Sequence, residues 1–303
     1  MQPKHTIVGL GELLWDLLPG GPQLGGAPAN FAYFANLLGD RGIVASRIGG
    51  DDDLGRQAVA RLRQVGCSTE YLQQDAIHPT GTVHVHVDPA GQPQFQISQP
   101  VAWDFLQWTP AWKQLAEQAD AICFGSLAQR SAVSRDTILQ FLRHANAQAL
   151  RVFDVNLRSP FYSAEVLAGS LPLATIIKMN QDELPIVADR LGIIFKGERA
   201  AAEALLAHCG LKLVCVTRGQ RGSLLFGEQG ADEHPGFRVP VVDTVGAGDA
   251  FTATLVYYFL RGASLREMND TANRIGAWVA TQAGATPMPA DGDLQLAVAT
   301  LKP

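Results

Sequence analysis

The sequence predicts an α/β protein built on a mostly parallel sheet, and three features support this fold class. From residue 120 onward, short apolar runs alternate with stretches of helical periodicity. The helical stretches are long enough to connect parallel strands. Before residue 100, apolar and polar residues alternate with period two, which predicts a small antiparallel hairpin. The chain should therefore fold as a large buried sheet with a small antiparallel sheet laid over it as a lid.

The elements after residue 120 follow from this alternation. The predicted strands cover residues 121–124, 151–155, 175–179 and 213–217. The predicted helices cover residues 134–147, 181–191, 200–208, 248–261 and 265–283. Because these strands are almost continuously apolar, they need cover on both faces, and a buried parallel sheet is expected.

The predicted lid comes from the first third of the chain. Residues 81–88 and 94–98 alternate with period two and are joined by Pro89-Ala90-Gly91-Gln92, which is typical of a turn. Residues 13–18 form a further strand-like run. The chain has no Ser/Gly-rich linker, low-complexity tract or internal repeat. We therefore expect one domain over residues 1–303, with lid excursions at about 12–24 and 80–100.

Composition narrows the function class. With 47% hydrophobic and 17% charged residues, the chain can bury a sizeable core. Its net charge of −5 argues against binding to nucleic acid, which needs a basic face. The longest apolar run, about residues 253–260, is too short for a membrane span, and Glu12 and Asp16 interrupt the amino-terminal apolar segment, unlike a signal peptide. Its four cysteines form no C-x-x-C pair. We expect a cytoplasmic protein with reduced cysteines.

Two nucleotide motifs are absent or incomplete. Gly9-Leu10-Gly11-Glu12 follows a strand-like run, but the third glycine of a dinucleotide fingerprint is missing and no helical pattern follows. No G-x-x-x-x-G-K-[ST] segment occurs, which excludes a P-loop. A nucleotide, if bound, must use another kind of site.

The segment Asp243-Thr244-Val245-Gly246-Ala247-Gly248-Asp249 is the most informative one, because it leads directly into an apolar helical stretch. Small residues there leave backbone N–H groups uncovered at a helix start, where the helix dipole favours an anion. Asp249 in the first turn could accept a proton from an alcohol while those N–H groups hold a migrating phosphoryl group. The alternative is a glycine-rich turn in which Asp249 only complements the dipole.

A second glycine-rich segment, Gly25-Gly26-Ala27-Pro28-Ala29-Asn30, opens a helix predicted over residues 29–38. Its glycines would let a polyol approach the backbone, and Asn30 can both donate to and accept from hydroxyl groups. Asp16 lies nearby in an apolar stretch, where a carboxylate needs a partner. Sugar hydroxyls or backbone N–H groups capped by the carboxylate could equally be that partner.

These segments together resemble the PfkB, or ribokinase-like, family of sugar kinases over essentially the whole chain. The segments GELLWDLLP, LGGAPANFA, HPTGTV, PVAWDF and DVNLR look most like the bacterial fructokinases of that family. The resemblance implies a three-layer α/β/α fold and transfer of the γ-phosphoryl group of ATP to a primary hydroxyl. Because the segments look most like bacterial fructokinases, the implied reaction converts fructose to fructose 6-phosphate. It also implies Mg²⁺, activation by K⁺ and a homodimer formed through the lid. Ribose, 2-keto-3-deoxygluconate or nucleoside kinases, and a non-catalytic sugar- or nucleotide-binding module, are the alternatives.

The resemblance also assigns roles to residues around the acceptor. It implies that Asp249 is the catalytic base, and that Gly246, Ala247 and Gly248 form the anion hole. The implied sugar-binding residues are Asp16, Gly25, Gly26 and Asn30. Arg158 follows Asp154 and Asn156 at the end of a predicted strand, where period-two alternation would place the three side chains on one side. Arg158 would then contact the sugar or the transferring phosphate, or form a surface ion pair instead.

Further residues are assigned to the nucleotide and the metals. Asn180 and Glu183 have the spacing of a helix cap, and the resemblance implies that they arrange magnesium and phosphate through water. Thr217, Arg218, Gly219 and Gly222 resemble the family's nucleotide loop, and Asn273 matches a position near the adenine. Asp243 and Val245 would contribute to a potassium site.

Two further features have a structural explanation that is simpler than a functional one. His84 and His86 with Asp88 fit an exposed lid face better than a metal site. Trp103 fits the core better than a sugar-pocket wall.

Overall fold

The computed structural model describes residues 4–18, 20–87, 93–289 and 294 of the chain. The strands are β1 Thr6–Leu10, β2 Leu14–Leu18, β3 Gly21–Gly25, β4 Arg41–Gly49, β5 Leu72–Asp75, β6 Gly81–Val87, β7 Pro93–Ile97, β8 Ala121–Gly125, β9 Leu150–Asp154, β10 Ile176–Asn180, β11 Leu213–Thr217, β12 Ser223–Gly227 and β13 Gly230–His234. The helices are α1 Ala27–Leu37, α2 Asp53–Gln64, α3 Pro110–Gln118, α4 Ala132–His144, α5 Ala164–Ser170, α6 Glu183–Arg190, α7 Glu198–Cys209, α8 Ala247–Phe259 and α9 Leu265–Ala280. Each strand and helix predicted after residue 120 is present.

The main sheet contains nine strands of the described chain, in the order β13-β12-β11-β10-β9-β8-β1-β4-β5. All neighbouring pairs from β11 to β5 are parallel. The sequence analysis did not assign β12 and β13, which add antiparallel strands at one edge. The sheet is therefore mostly parallel, as predicted.

Helices cover both faces of this sheet. Side chains of α3 to α7 pack in one core cluster, and side chains of α1, α2, α8 and α9 pack in the other. Strand β10 shows why both layers are needed, because Ile177 and Met179 lie in the first cluster and Ile176 in the second. This confirms the predicted three-layer α/β/α architecture. Within the described residues, no helix is both long and apolar enough to span a bilayer.

The smaller sheet has the order β3-β2-β6-β7 and forms the lid. The pair β6–β7 is antiparallel as predicted, and β3, which the sequence pattern did not predict, also pairs antiparallel with β2. The inner pair β2–β6 is parallel, because β2 follows β1 and β6 follows β5, two main-sheet strands that run in the same direction. The predicted turn at residues 89–92 lies outside the described residues. The single domain over residues 1–303, with its lid limits, stays a prediction.

Trp103 belongs to the core and not to a pocket wall. Its side chain is fully buried, and the Arg130 guanidinium lies 3.9 Å from its ring centroid. A side chain at Gly81, where β6 begins, would clash with the Trp103 indole. Trp103 therefore supports the base of the lid and is too enclosed to touch a ligand. All four cysteines are free, as expected.

Strand β1 lies where the strand order reverses. The chain goes from β1 to β4 on one side and later returns to β8 on the other side. In open α/β sheets, the crevice at the carboxyl ends of the strands at such a point binds ligands. The loops that follow β1, β8, β9, β10 and β11 all begin at this edge.

Asp52 connects the main sheet to the lid. Its carboxylate caps α2 by accepting from the Gly55 N–H, and it also accepts from the N–H (2.6 Å) and the hydroxyl (2.8 Å) of Thr80. Thr80 is buried and immediately precedes β6. One carboxylate therefore stabilises a helix start and the first residue of the lid hairpin.

We expect Asp52→Ala to lower the free energy of unfolding by about 2 kcal/mol, because a helix cap and two further hydrogen bonds are lost. Asp53→Ala is the matched control, since Asp53 is 82% exposed and pairs only with Arg56 on the surface. That change should cost less than about 0.5 kcal/mol. Urea denaturation measures both. Equal effects of the two substitutions would contradict the proposed anchoring of the lid.

Candidate active site

The start of α8 has the geometry of an anion hole. Gly246 caps the helix with φ 79°, and a Cβ there would lie 2.2 Å from the carbonyl oxygen of Ala285, so only glycine fits. The N–H groups of Gly248 and Asp249 have no acceptor among the described residues, as expected for the first turn of a helix. Two uncovered N–H groups and the helix dipole therefore point to the same space.

Asp249 lies in the first turn of α8, beside these N–H groups. Its Oδ2 accepts a hydrogen bond of 2.8 Å from Asn30 Nδ2, which connects α8 to the predicted sugar-binding helix α1. Burial raises its pKa from 3.8 to about 6, and Asp154 acts in the same direction, whereas Asn30, Lys178 and Arg158 lower it. At neutral pH the carboxylate is ionised and able to accept a proton.

The predicted sugar-binding residues lie opposite, on the lid sheet and at the start of α1. A Cβ at Gly25 would lie 2.7 Å from Asp16 Oδ2, so glycine leaves room for this carboxylate. Gly26, with φ 108°, caps α1, and a Cβ there would lie 2.5 Å from the carbonyl oxygen of Glu12. Burial raises the pKa of Asp16 to about 6, and Arg158 opposes this. Asp16, Gly25, Gly26 and Asn30 are thus brought together as predicted.

Glu12 is a site residue that the sequence analysis missed. It follows β1 at the ligand-binding edge and is 2% exposed, and its Oε2 has no partner among the described residues. Its pKa is raised from 4.5 to about 7, chiefly by burial and also by the charge of Asp249, while Arg158 acts in the opposite direction. The available signal was one acidic residue directly after an apolar strand.

Arg158 reaches the site, but by a different route from the one predicted. Strand β9 ends at Asp154, and Asn156 has φ 39°, so the period-two alternation does not continue to Arg158. The prediction that the three side chains share one side of a strand is therefore wrong. Arg158 is exposed, and its charge lowers the pKa of Glu12, Asp16 and Asp249. Its guanidinium is the cation that offsets this acidic group.

Asp154 is paired with Lys178, a second residue that the sequence analysis missed. Lys178 Nζ lies 3.1 Å from both carboxylate oxygens of Asp154, and both residues are buried. The signal was again a single charge within an apolar run, since Lys178 is the charged residue of β10. The pair lies on the face of the sheet that α8 covers.

Asn180 and Glu183 form the predicted helix cap. The Glu183 N–H donates to Asn180 Oδ1 (2.9 Å), and the Asn180 N–H donates to Glu183 Oε2 (2.8 Å). Glu183 Oε1 also accepts from the Leu157 N–H at 2.7 Å, which holds the loop that carries Arg158. Each Glu183 oxygen already has a backbone donor, so this residue suits contact with a metal through water. Its role toward magnesium stays a prediction.

The predicted nucleotide loop follows β11. Thr217 ends the strand, and Arg218 pairs with Glu198 at 2.5 Å and Glu233 at 3.3 Å. Gly219 and Gly222 both have left-handed φ values, and a Cβ at Gly222 would lie 2.0 Å from the carbonyl oxygen of His234. The loop is therefore closely packed on β13, and Arg218 is held by two carboxylates.

Asn273 lies behind this loop in a buried polar group. Its Nδ2 donates to Ser223 Oγ (2.7 Å) and to the carbonyl oxygen of Asn269 (2.8 Å), and Asn273 is 8% exposed. The hydrogen bond to Ser223, which follows Gly222 in the chain, gives Asn273 a structural role in holding the end of this loop. Contact with an adenine stays a prediction.

Two open clefts flank the 217–222 loop. One, of about 520 Å³, is lined by the basic residues Lys196, Arg199, Arg218 and Arg221 and by the acidic residues Glu198 and Glu233, which pair with Arg218. The other, of about 580 Å³, is lined by Gln220, Arg221, Arg238, Val239 and Pro240. Basic side chains therefore outnumber acidic ones in the two clefts beside the loop.

The predicted potassium site involves Asp243 and Val245, which are joined by a hydrogen bond. Asp243 uses its carboxylate to accept from the N–H groups of Val245 (3.0 Å) and Gly284 (3.1 Å), which fixes the backbone around the anion hole. The carboxylate oxygens each accept one hydrogen bond and keep a further lone pair, so the predicted role of Asp243 and Val245 toward a cation stays a prediction. Among the described residues, no cluster of His, Cys, Asp and Glu is arranged to hold a metal. His84 is exposed, as expected for a lid face, and the side chains of His86 and Asp88 lie outside the described part.

Comparison with known proteins agrees with this site. The family model described as pfkB family carbohydrate kinase matches residues 22–291. The chain belongs to the pfkB family of carbohydrate kinases. It is therefore a phosphotransferase with an alcohol acceptor, which confirms the resemblance found in the sequence.

Three relatives show how far the similarity extends. A fructokinase of Escherichia coli is 30% identical, over 94% of this chain and 97% of its own length. A Xylella fastidiosa fructokinase solved with bound ATP is 25% identical, with a TM-score of 0.85 over 98% of this chain and 99% of that one. A double mutant of the Vibrio cholerae O395 fructokinase, solved with fructose, ADP and potassium, is 26% identical, with a TM-score of 0.77 over 98% and 97% of the two chains.

The pKa of Glu12 leads to a stability prediction. Its folded-state pKa of about 7 lies above the ordinary value of 4.5 for a glutamate, so the folded protein loses stability as pH rises between these values. We expect Glu12→Gln to stabilise the ligand-free protein at pH 8 relative to the native sequence, by on the order of 3 kcal/mol, and much less at pH 5. Urea denaturation at both pH values measures this.

The exposed Glu203→Gln on α7 is the control for this prediction, because Glu203 is not buried. It should give the same small difference at both pH values. If the stability difference for Glu12→Gln were independent of pH, Glu12 would not be a carboxyl group with a raised pKa.

Proposed function

We propose that this chain is an ATP-dependent kinase of a free sugar, with D-fructose as acceptor and D-fructose 6-phosphate as product. The observation that carries the proposal is the 2.8 Å hydrogen bond between Asn30 and Asp249, because it joins an amide of α1 to an ionised carboxylate beside the uncovered N–H groups of α8. The similarity to fructokinases over nearly the whole chain supports fructose. Acceptor binding, proton removal and phosphoryl transfer can then occur in one place.

The reaction follows from this arrangement. Asp249 accepts the proton of the primary hydroxyl, and the hydroxyl oxygen forms a bond to the γ-phosphorus of ATP. The bond from that phosphorus to the β,γ-bridging oxygen breaks, and ADP leaves with this oxygen. The N–H groups of Gly248 and Asp249 stabilise the charge on the transferring group, with Gly246 and Ala247 shaping the turn. Arg158 contributes positive charge from the β9 side.

Charge in the site favours a neutral acceptor. Glu12, Asp16 and Asp249 surround the acceptor position, and Arg158 is the cation that lowers the pKa of all three. A sugar that already carries a phosphate or carboxylate would be repelled by this group. A neutral polyol can instead donate its hydroxyls to these carboxylates. This argument favours fructose or ribose over 2-keto-3-deoxygluconate.

The nucleotide would bind on the other side of the anion hole. The basic clefts beside Thr217, Arg218, Gly219 and Gly222 fit a polyphosphate, and ATP is present in the Xylella fastidiosa relative. Magnesium, held through water by Asn180 and Glu183, would neutralise phosphate charge when bound. Asn273 would lie near the adenine. Asp243 and Val245 would bind potassium, which is present in the Vibrio cholerae relative. A cytoplasmic homodimer formed through the lid completes the proposal.

Measurement of ADP release across D-fructose, D-ribose, 2-keto-3-deoxygluconate and inosine tests the function, with ATP and magnesium and either KCl or NaCl. We expect the highest kcat/KM for fructose, with faster turnover in KCl. A higher kcat/KM for another acceptor would replace fructose. Absence of sugar-dependent ADP release with every acceptor would contradict the kinase proposal and favour a binding module.

We expect Asp249→Asn to lower kcat by roughly 10²–10⁴, because the amide cannot accept the hydroxyl proton. Fructose affinity by calorimetry should change little, since the amide has nearly the size of the carboxylate and its oxygen can still accept from Asn30. The control is Asp136→Asn on the exposed side of α4, which should leave kcat unchanged. Wild-type turnover in the Asp249 variant would exclude this residue as the base.

A further inference from the structure

Lys178 is buried although its charge makes burial costly. It is 8% exposed, within a strand whose neighbouring residues are apolar. Its partner Asp154 is 3% exposed. Removing two charges from water costs several kcal/mol per ion, and well-packed hydrophobic residues often stabilise a fold equally well. Stability alone is therefore a weak explanation for this pair.

The Lys178 ammonium retains an unused donor. It carries three N–H groups, and its contacts among the described residues are the two carboxylate oxygens of Asp154, each at 3.1 Å. Thr252 of α8 places the pair under the first turn of that helix, because its hydroxyl lies 3.2 Å from Asp154 Oδ2 and 2.9 Å from the carbonyl oxygen of Gly248. The remaining N–H is thus available beside the anion hole.

Gly248 leaves this ammonium uncovered. Its backbone does not have the positive φ that requires glycine, and glycine is less favourable than alanine within a helix. A Cβ at Gly248 would have one protein atom within 4 Å, which is Lys178 Nζ at 3.2 Å. The missing side chain therefore opens a gap between the ammonium and the N–H groups of the anion hole.

Electrostatics shows that the ammonium keeps its charge and acts on the site. Burial alone would lower the pKa of Lys178, but Asp154, Asp249 and Glu183 raise it above its usual value. In return, Lys178 lowers the pKa of Asp249. The base on one side and the cap residue Glu183 on the other therefore both lie within the field of this charge.

We propose that Lys178 is a further electrostatic component of the phosphoryl-transfer site, and that its ammonium acts through the gap left by Gly248 on the group held at the start of α8. This inference rests on the proposed kinase function and adds a residue to it. The positive charge of the ammonium offsets the negative charge of the transferring phosphoryl group. The N–H groups of the anion hole are neutral and can only donate hydrogen bonds to it. Asp154 holds the ammonium at this position.

The test removes the charge without leaving an unpaired one. Lys178→Met alone would leave Asp154 buried and unpaired, so the main variant is Asp154→Asn with Lys178→Met. We expect kcat to fall by roughly 10²–10³, as when another charge-stabilising donor is lost, with the KM for fructose within threefold. Asp154→Asn alone retains the ammonium and should keep kcat at least tenfold above the double variant. Lys212→Met, an exposed lysine at the start of β11, is the control.

Binding provides a readout independent of turnover. Calorimetry compares ADP alone with ADP and aluminium fluoride, a mimic of the transferring phosphoryl group, in the presence of fructose and magnesium. The double variant should lose roughly 10²-fold or more in affinity for the aluminium fluoride complex and less than threefold for ADP. Gly248→Ala, which puts a methyl group 3.2 Å from the ammonium, should also weaken the aluminium fluoride complex.

The outcomes separate this inference from the proposed function. A wild-type protein that phosphorylates no acceptor refutes the proposed function. An active wild type whose double variant keeps the same kcat and the same aluminium fluoride affinity refutes the Lys178 inference alone, and the ion pair is then structural. A fall in stability with unchanged kcat leads to the same conclusion.

Discussion

The close packing of α1 on the main sheet is the constraint on which the site depends. A Cβ at Gly9 of β1 would lie 1.9 Å from the carbonyl oxygen of Pro28, and one at Gly42 of β4 would lie 1.9 Å from that of Ala32. Two glycines therefore let the helix backbone lie directly on the strands where the strand order reverses. This contact allows Asn30 to reach Asp249, although the two residues are 219 positions apart. A larger residue at either glycine would move the acceptor side away from the phosphoryl side.

The second constraint is the concentration of charge at the carboxyl edge of the sheet. Glu12, Asp16 and Asp249 each have a raised pKa because they are taken from water. Arg158 and Lys178 offset this cost from opposite sides, one exposed and one buried. A ligand that replaces the lost hydration with hydroxyl donors would offset the same cost.

The lid sheet contacts the segment beside the start of α8. Its strand β2 carries Asp16, and a Cβ at Gly284 would lie 3.1 Å from the side chain of Gln23 on β3. Gly284 in turn donates to Asp243, beside the anion hole. The lid sheet and the backbone at the start of α8 are thus joined by a short series of contacts.

The sequence by itself determined the α/β class, the helices after residue 120, the lid hairpin and the two glycine-rich helix starts. These features depend on periodicity and on small residues, which are local properties of the chain. Only the tertiary structure decided that Asn30 contacts Asp249, that β2 and β6 pair in parallel, and that Arg158 reaches the site from a loop after β9. It also identified Glu12 and Lys178, because the effect of a buried charge depends on neighbours that are distant in sequence. Burial and cross-chain pairing are set by packing, which no local pattern specifies.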